Sequence, residues 1–88
     1  MTWNHRVLAH EHKGELTFAI HEVFYTDGIP DMCTENPVGV VGDTLPELSQ
    51  TLRLMLAALT EQPILNYTDF EPGGKYYKKD AWRLSDER

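Results

Sequence analysis

The side chains of this 88-residue chain with chemistry to offer are four histidines, one cysteine and a set of carboxylates. His10 and His12 stand two apart, so an extended backbone puts both on one face. His21 could join them across a hairpin, with Glu11, Glu22 and Cys33 as further ligands. A metal ion needs three or four such groups converging at short range, and H-x-H supplies only one edge of that set. Structural or surface roles therefore outweigh ligation, and neither a CxxC pair nor an HExxH helix is present. No cofactor is expected. His21-Glu22 suggests acid–base chemistry, but neighbours on a strand point to opposite faces. Pairing His21 across a hairpin with Asp31 or Glu35 is easier, and a satisfied hydrogen bond is then a simpler outcome than a general base. His10, His21, Glu22 and Glu35 form the candidate functional cluster. Cys33 would be a nucleophile only beside a group that lowers its pKa. No such group can be read, so Cys33 is assigned as a small buried or half-buried residue. No catalytic residue is assigned.

Two other stretches invite an anion. Gly39-Val40-Val41-Gly42-Asp43-Thr44 precedes a helix whose amides could meet a phosphate. It lacks the lysine of a phosphate loop, and Asp43 would repel the ligand. The second stretch is GGKYYKKDAWRLSDER at the end of the chain. Residues 1–71 carry eleven acids and three bases, whereas residues 72–88 carry three acids and five bases. Lys75, Tyr76, Tyr77, Lys78 and Lys79 are the candidate nucleic-acid contacts, since cations interleaved with aromatic rings can hold phosphates and stack on bases. Asp80, Asp86 and Glu87 dilute that patch, and the acidic body repels phosphates. Nucleic-acid binding is expected only weakly, through the tail.

Residues 1–71 read as one compact domain, and residues 72–88 as a flexible or partly docked tail with Gly73-Gly74 as a flexible joint. A 41% hydrophobic content exceeds that of disordered acidic chains. The run Leu54–Leu59 is too short to span a bilayer and is bracketed by Arg53 and Thr60-Glu61. MTWNHRVLAHEH lacks the pattern of a secretory signal, so a cytoplasmic location is expected, and the Asn66-Tyr67-Thr68 acceptor pattern is read as incidental.

These residues need a scaffold. WNHRVLAHE (3–11) reads as a strand whose alternation is imperfect, so neither face is clearly wet. His12–Glu15 reads as a turn. In LTFAIHEVFY (16–25), Leu16, Phe18, Ile20 and Phe24 share one face, which is assigned to the core. Thr17, Ala19, His21, Val23 and Tyr25 share the other, which is also partly apolar and is read as half-exposed or as meeting a partner. Asp27-Gly28 is a hairpin signal. Met32–Glu35 returns as a third strand, and Asn36-Pro37 ends it. Thr44 and Glu47 have capping-box spacing, and Pro46 suits a first helical turn. Leu45, Leu48, Leu52, Met55, Leu56 and Leu59 then make a helical stripe suited to cover a sheet, and Gln62-Pro63 ends it. Ile64–Tyr67 reads as a last edge strand. The fold expected is α+β, a three- or four-stranded antiparallel sheet packed by one main helix in the order β-β-β-α-β.

The second face of that helix has few charges. Gln50, Arg53, Leu54 and Ala57 are the candidate interface, such as a homodimer seam; the alternative is that Leu54 and the alanines are side margins of one wide apolar stripe. The phrase Gly42-Asp43-Thr44-Leu45-Pro46-Glu47-Leu48, followed by Leu52, Met55, Leu56 and Leu59, resembles the HicB family over residues 16–67. Members of that family neutralise small RNA-cleaving toxins, so the resemblance implies a protein partner with a basic surface. Residues 72–88 are too few for the helix-turn-helix that such proteins commonly add. They also lack a complete ribbon-helix-helix pattern, which puts DNA-binding autoregulation in doubt. Ile20–Tyr25 and Thr34–Val38 also resemble small uncharacterised bacterial families with an IHEV(F/Y)Y…TENPV signature, for which no activity is implied. The function expected is a small non-enzymatic protein-binding or regulatory module with a protein partner or a homo-oligomeric state and no membrane association. The alternatives are a HicB-like antitoxin and a small histidine/carboxylate metal-dependent enzyme.

Overall fold

The computed structural model of the chain describes residues 2–77. Five elements run in chain order: β1 (Thr2–His12), β2 (Glu15–Thr26), β3 (Ile29–Cys33), α1 (Leu45–Thr60) and β4 (Leu65–Asn66), followed by a 3-10 helix over Tyr67–Phe70. The sheet order is β3-β2-β1-β4. β1 and β3 both pair antiparallel with β2, whereas β4 lies parallel to β1. The order β-β-β-α-β is as expected, but the sheet is mixed. The cause is the helix between β3 and β4, which carries the chain back to the end of the sheet where β1 begins, as crossover connections do.

Both hairpins close through turns with positive φ at two successive residues, Lys13 (52°) and Gly14 (83°), then Asp27 (53°) and Gly28 (77°). This is the primed turn whose twist matches that of the strands, and glycine occupies the second position at no steric cost. The first turn pairs even positions of β1 with odd positions of β2: Arg6 faces His21 and Leu8 faces Ala19.

β1 is the central strand. His5 to Ala9 are five consecutive buried residues, because both faces of the strand are covered. On the face of Val7 and Ala9 lies α1, which packs chiefly on β1. On the face of Leu8 lies the main apolar cluster, Leu8 with Val23, Cys33 and Phe70, flanked by Tyr25, Leu65, Tyr67 and Tyr76. The core of β2 is therefore the reverse of the expected one. Val23 and His21 are fully buried, whereas Leu16 and Phe18 lie in the open. Apolar content favoured the Leu16 set, but burial depends on what covers each face, and the segment from Tyr67 to Tyr76 covers the other.

α1 starts as the cap predicts. Thr44 is extended (φ −135°, ψ 162°), and its hydroxyl accepts from the Glu47 amide at 3.2 Å. The Glu47 carboxylate meets the Thr44 hydroxyl at 3.4 Å rather than the Thr44 amide. The covered line of the helix is Met55 and Ala58, with Thr51 and Leu48 half-buried beside them. Leu45, Leu52, Leu56 and Leu59 are exposed. The helix is thus rotated from the expected setting, with its leucine stripe to one side and its smaller residues against β1.

Pro72 to Tyr77 is docked. The Tyr76 amide donates to the Asp69 carbonyl at 2.7 Å, and the Tyr76 ring lies 5.3 Å from Phe70. Gly73-Gly74, read as a flexible joint, is a packed turn in which a Cβ on Gly74 would run into the Thr68 and Asp69 carbonyls. Lys78 and Lys79 lie outside the described residues.

Candidate functional site

His10 and His21 meet. Their Nε2 atoms are 2.8 Å apart, and the rings stack with centroids 5.0 Å apart. Both are on the Leu8 face because of the even–odd pairing set by the Lys13-Gly14 turn, and Ala19, small, lies between their rows. Tyr67 from the 3-10 helix stacks on His10 at 4.6 Å and tilts toward His21 at 5.5 Å. His21 is fully buried, and its Nδ1 lies 3.0 Å from the Thr34 carbonyl.

The carbonyl can only accept, and at 3.0 Å it is the shorter of two contacts of His21 Nδ1, the Thr34 hydroxyl lying at 3.3 Å, so it favours the tautomer with the proton on Nδ1. In the neutral ring Nε2 is then bare and accepts from His10 Nε2–H, which leaves the His10 lone pair on Nδ1. The pair is a directed hydrogen-bond chain from His10 through His21 to the β3 end. Two nitrogens on one tetrahedral ion would stand about 3.3 Å apart at ordinary zinc–nitrogen distances. The observed 2.8 Å is a hydrogen bond. Among the described residues no group of three or more His, Cys, Asp and Glu side chains converges.

The other members of the expected cluster go elsewhere. Glu22 sits on the opposite face of β2 from His21, as strand geometry requires. Glu35 is exposed, and its backbone carbonyl, not its carboxylate, accepts from Tyr67 Oη at 3.1 Å. Asp31 accepts from the Thr26 hydroxyl at 2.7 Å. His12 ends β1 in solvent. Cys33 has no exposure and is enclosed in the apolar cluster. Thr34 and Tyr67 were not singled out in the sequence. Tyr67 reaches the site only through the return of the chain after α1.

Arg6 is a second buried polar centre on the same face. Its guanidinium donates to Tyr25 Oη at 2.7 Å and to the Pro63 carbonyl at 2.8 Å, while Nε has no partner among the described residues. Tyr25 Oη in turn donates to Asn4 Oδ1 at 2.8 Å. This chain ties β1 and β2 to the turn before β4.

The expected interface divides. Gln50 and Arg53 are exposed, and Gln50 borders a shallow depression with Val41, Gly42, Asp43, Glu47 and Thr51. Leu54 and Ala57 line a cleft of about 200 Å³ between the end of α1 and the start of β1, opposite Trp3, Asn4 and His5. The Trp3 indole closes one side, edge-on to His5 at 5.3 Å. Leu54 is thus half-exposed at the lip of an apolar cleft. In the tail, Lys75 lies 5.3 Å over the Tyr76 ring, which also contacts Phe70. Tyr76 is therefore engaged within the chain, while Tyr77 is partly open.

The largest departure from an ordinary small domain is on the helix side of the sheet. Ala9 and Phe18 are direct partners across β1 and β2, yet Ala9 is 9% exposed and Phe18 57%. The helix stops at β1, and the apolar strip of β2 continues beyond it uncovered.

The chain matches no protein-family model, no curated protein and no solved structure. Among the described residues no helix is long and apolar enough to cross a membrane.

Proposed function

We propose that the protein is a non-enzymatic protein-binding or regulatory module that works through the uncovered apolar side of its sheet. The observation that carries this is the Ala9–Phe18 boundary, where one residue of a cross-strand pair is packed and its neighbour is in water. Large exposed apolar faces on small domains mark interaction surfaces. Three of the four ring nitrogens of the histidine pair are engaged with one another or with Thr34, which supports the same reading. The test is affinity capture with the full chain as bait, followed by titration of the purified captured protein against the bait. Phe18→Glu should weaken binding at least tenfold, and His10→Gln should leave it within twofold. Equal binding by the Phe18→Glu bait would remove the assignment.

The second reading, a HicB-like antitoxin, is favoured by the strand meander followed by a helix capped at Thr44 within Gly42–Glu47. The acidic body suits a basic partner surface. Co-expression with a small basic RNA-cleaving protein should then suppress RNA cleavage and yield a co-purifying complex. Undiminished cleavage would sink this reading and leave the broader one standing.

A further inference from the structure

Among the described residues two apolar faces are left without cover. One is the strip of β2 formed by exposed Leu16 and Phe18 and bordered by half-buried Ile20, which lies beside α1. The other is the leucine stripe of α1, Leu45, Leu52, Leu56 and Leu59, each between 52% and 80% exposed. A sheet strip lacks a helix, and a helix has a second apolar side that lacks a sheet. We infer that a second copy of this chain covers both, with α1 of each protomer seated on β2 of its partner about a two-fold axis. This rests on the protein-binding reading above and names the occupant.

Area favours that occupant. Leu16, Phe18 and the four leucines expose on the order of 600–700 Å² together, near the ~800 Å² per partner of a standard interface. Two-fold symmetry applies the same match twice, strip to stripe and stripe to strip, so one protomer needs no surface that it does not already have.

Charge favours it too. The strip is bracketed on its own face by Glu11, directly across from Leu16, and by Glu22, two residues beyond Ile20. Arg53 is the one base of α1 and lies one turn from Leu56 on the exposed side. None of the three makes an ion pair among the described residues. Seating the stripe on the partner's strip brings Arg53 toward carboxylates of opposite sign, which sets the register that leucines alone leave loose.

The experiment is sedimentation equilibrium of the full-length protein over a wide concentration range, with Phe18→Glu, Leu56→Glu and Arg53→Glu beside the unchanged chain. Phe18→Ser and Leu56→Gln serve as milder variants, and circular dichroism with amide NMR dispersion confirms that each is folded. A dimer is expected. Its dissociation constant should rise at least 100-fold for Phe18→Glu and for Leu56→Glu, and up to tenfold for Arg53→Glu. A monomer at every concentration overturns the inference. So does a dimer that withstands both substitutions, or one dissociated by only one of them, since reciprocal seating uses both. A monomer that still captures another protein through Phe18 refutes the second copy as occupant but preserves the binding reading. A monomer that captures nothing removes both.

Discussion

Between His10 and His21 the two Nε2 atoms share one hydrogen bond, and the Thr34 carbonyl at His21 Nδ1 favours His10 as its donor. Nitrogen-15 NMR of the neutral rings should find His21 protonated at Nδ1 and His10 at Nε2. The opposite tautomers would contradict the chain as described. Energetically the two residues are unequal. His21 is fully buried, so His21→Leu removes a donor from a buried carbonyl and should cost about 1–3 kcal/mol in urea unfolding. His10 is half-exposed, so water can replace its lost bond, and His10→Ala should cost less than about 1 kcal/mol. Arg6 is the other costly residue to alter. Arg6→Met keeps the stem but removes both hydrogen bonds of the buried guanidinium, and a loss of about 1.5–3 kcal/mol is expected. The same-face placement of His10 and His21 was legible in the sequence, since the turn at Lys13-Gly14 sets which parities share a face. Their Thr34 and Tyr67 partners were not, because both arrive from segments distant in the chain.

At the scale of elements, local rules held where the chain itself supplies the partner. Thr44 caps α1 because its hydroxyl and the Glu47 amide are three residues apart in any helix starting there. Thr44→Ala should lower stability by about 1 kcal/mol, read as a shift in the urea midpoint without a change in slope. Local rules failed for the helix setting. Leu45, Leu52, Leu56 and Leu59 outweigh Met55 and Ala58 in apolar area, yet Met55 and Ala58 face β1. Periodicity shows that a helix has a wide apolar side; it does not show which part meets its own sheet. The segment after Pro72 was expected to be flexible or partly docked, and over Pro72–Tyr77 it is docked: Tyr76 packs on Phe70 and bonds to Asp69. Tyr76→Ala should therefore cost about 1–3 kcal/mol, where a free tail residue would cost nothing measurable.

Over the whole molecule, the sheet is covered unevenly. The Leu8 face is closed by the chain returning after α1, whereas the other face is closed only over β1. If a second copy completes it, folding and association are linked, and the thermal midpoint must rise with protein concentration. The midpoint of Leu56→Glu should not move over the same range. A midpoint independent of concentration in the unchanged chain would separate its stability from self-association.

By itself the sequence determined what depends on near neighbours: the two hairpin turns, the strand periods, the cap at Thr44 and the helix up to Thr60. These follow from dihedral preferences and hydrogen bonds that span a few residues. Tertiary structure alone decided the parallel seating of β4, the burial of Val23 and His21 in place of Leu16 and Phe18, and the closing of the histidine pair by Tyr67. Each depends on which distant segment comes to rest on a given face. The strand pattern of β2 is apolar on both sides, so its periodicity could not choose between them.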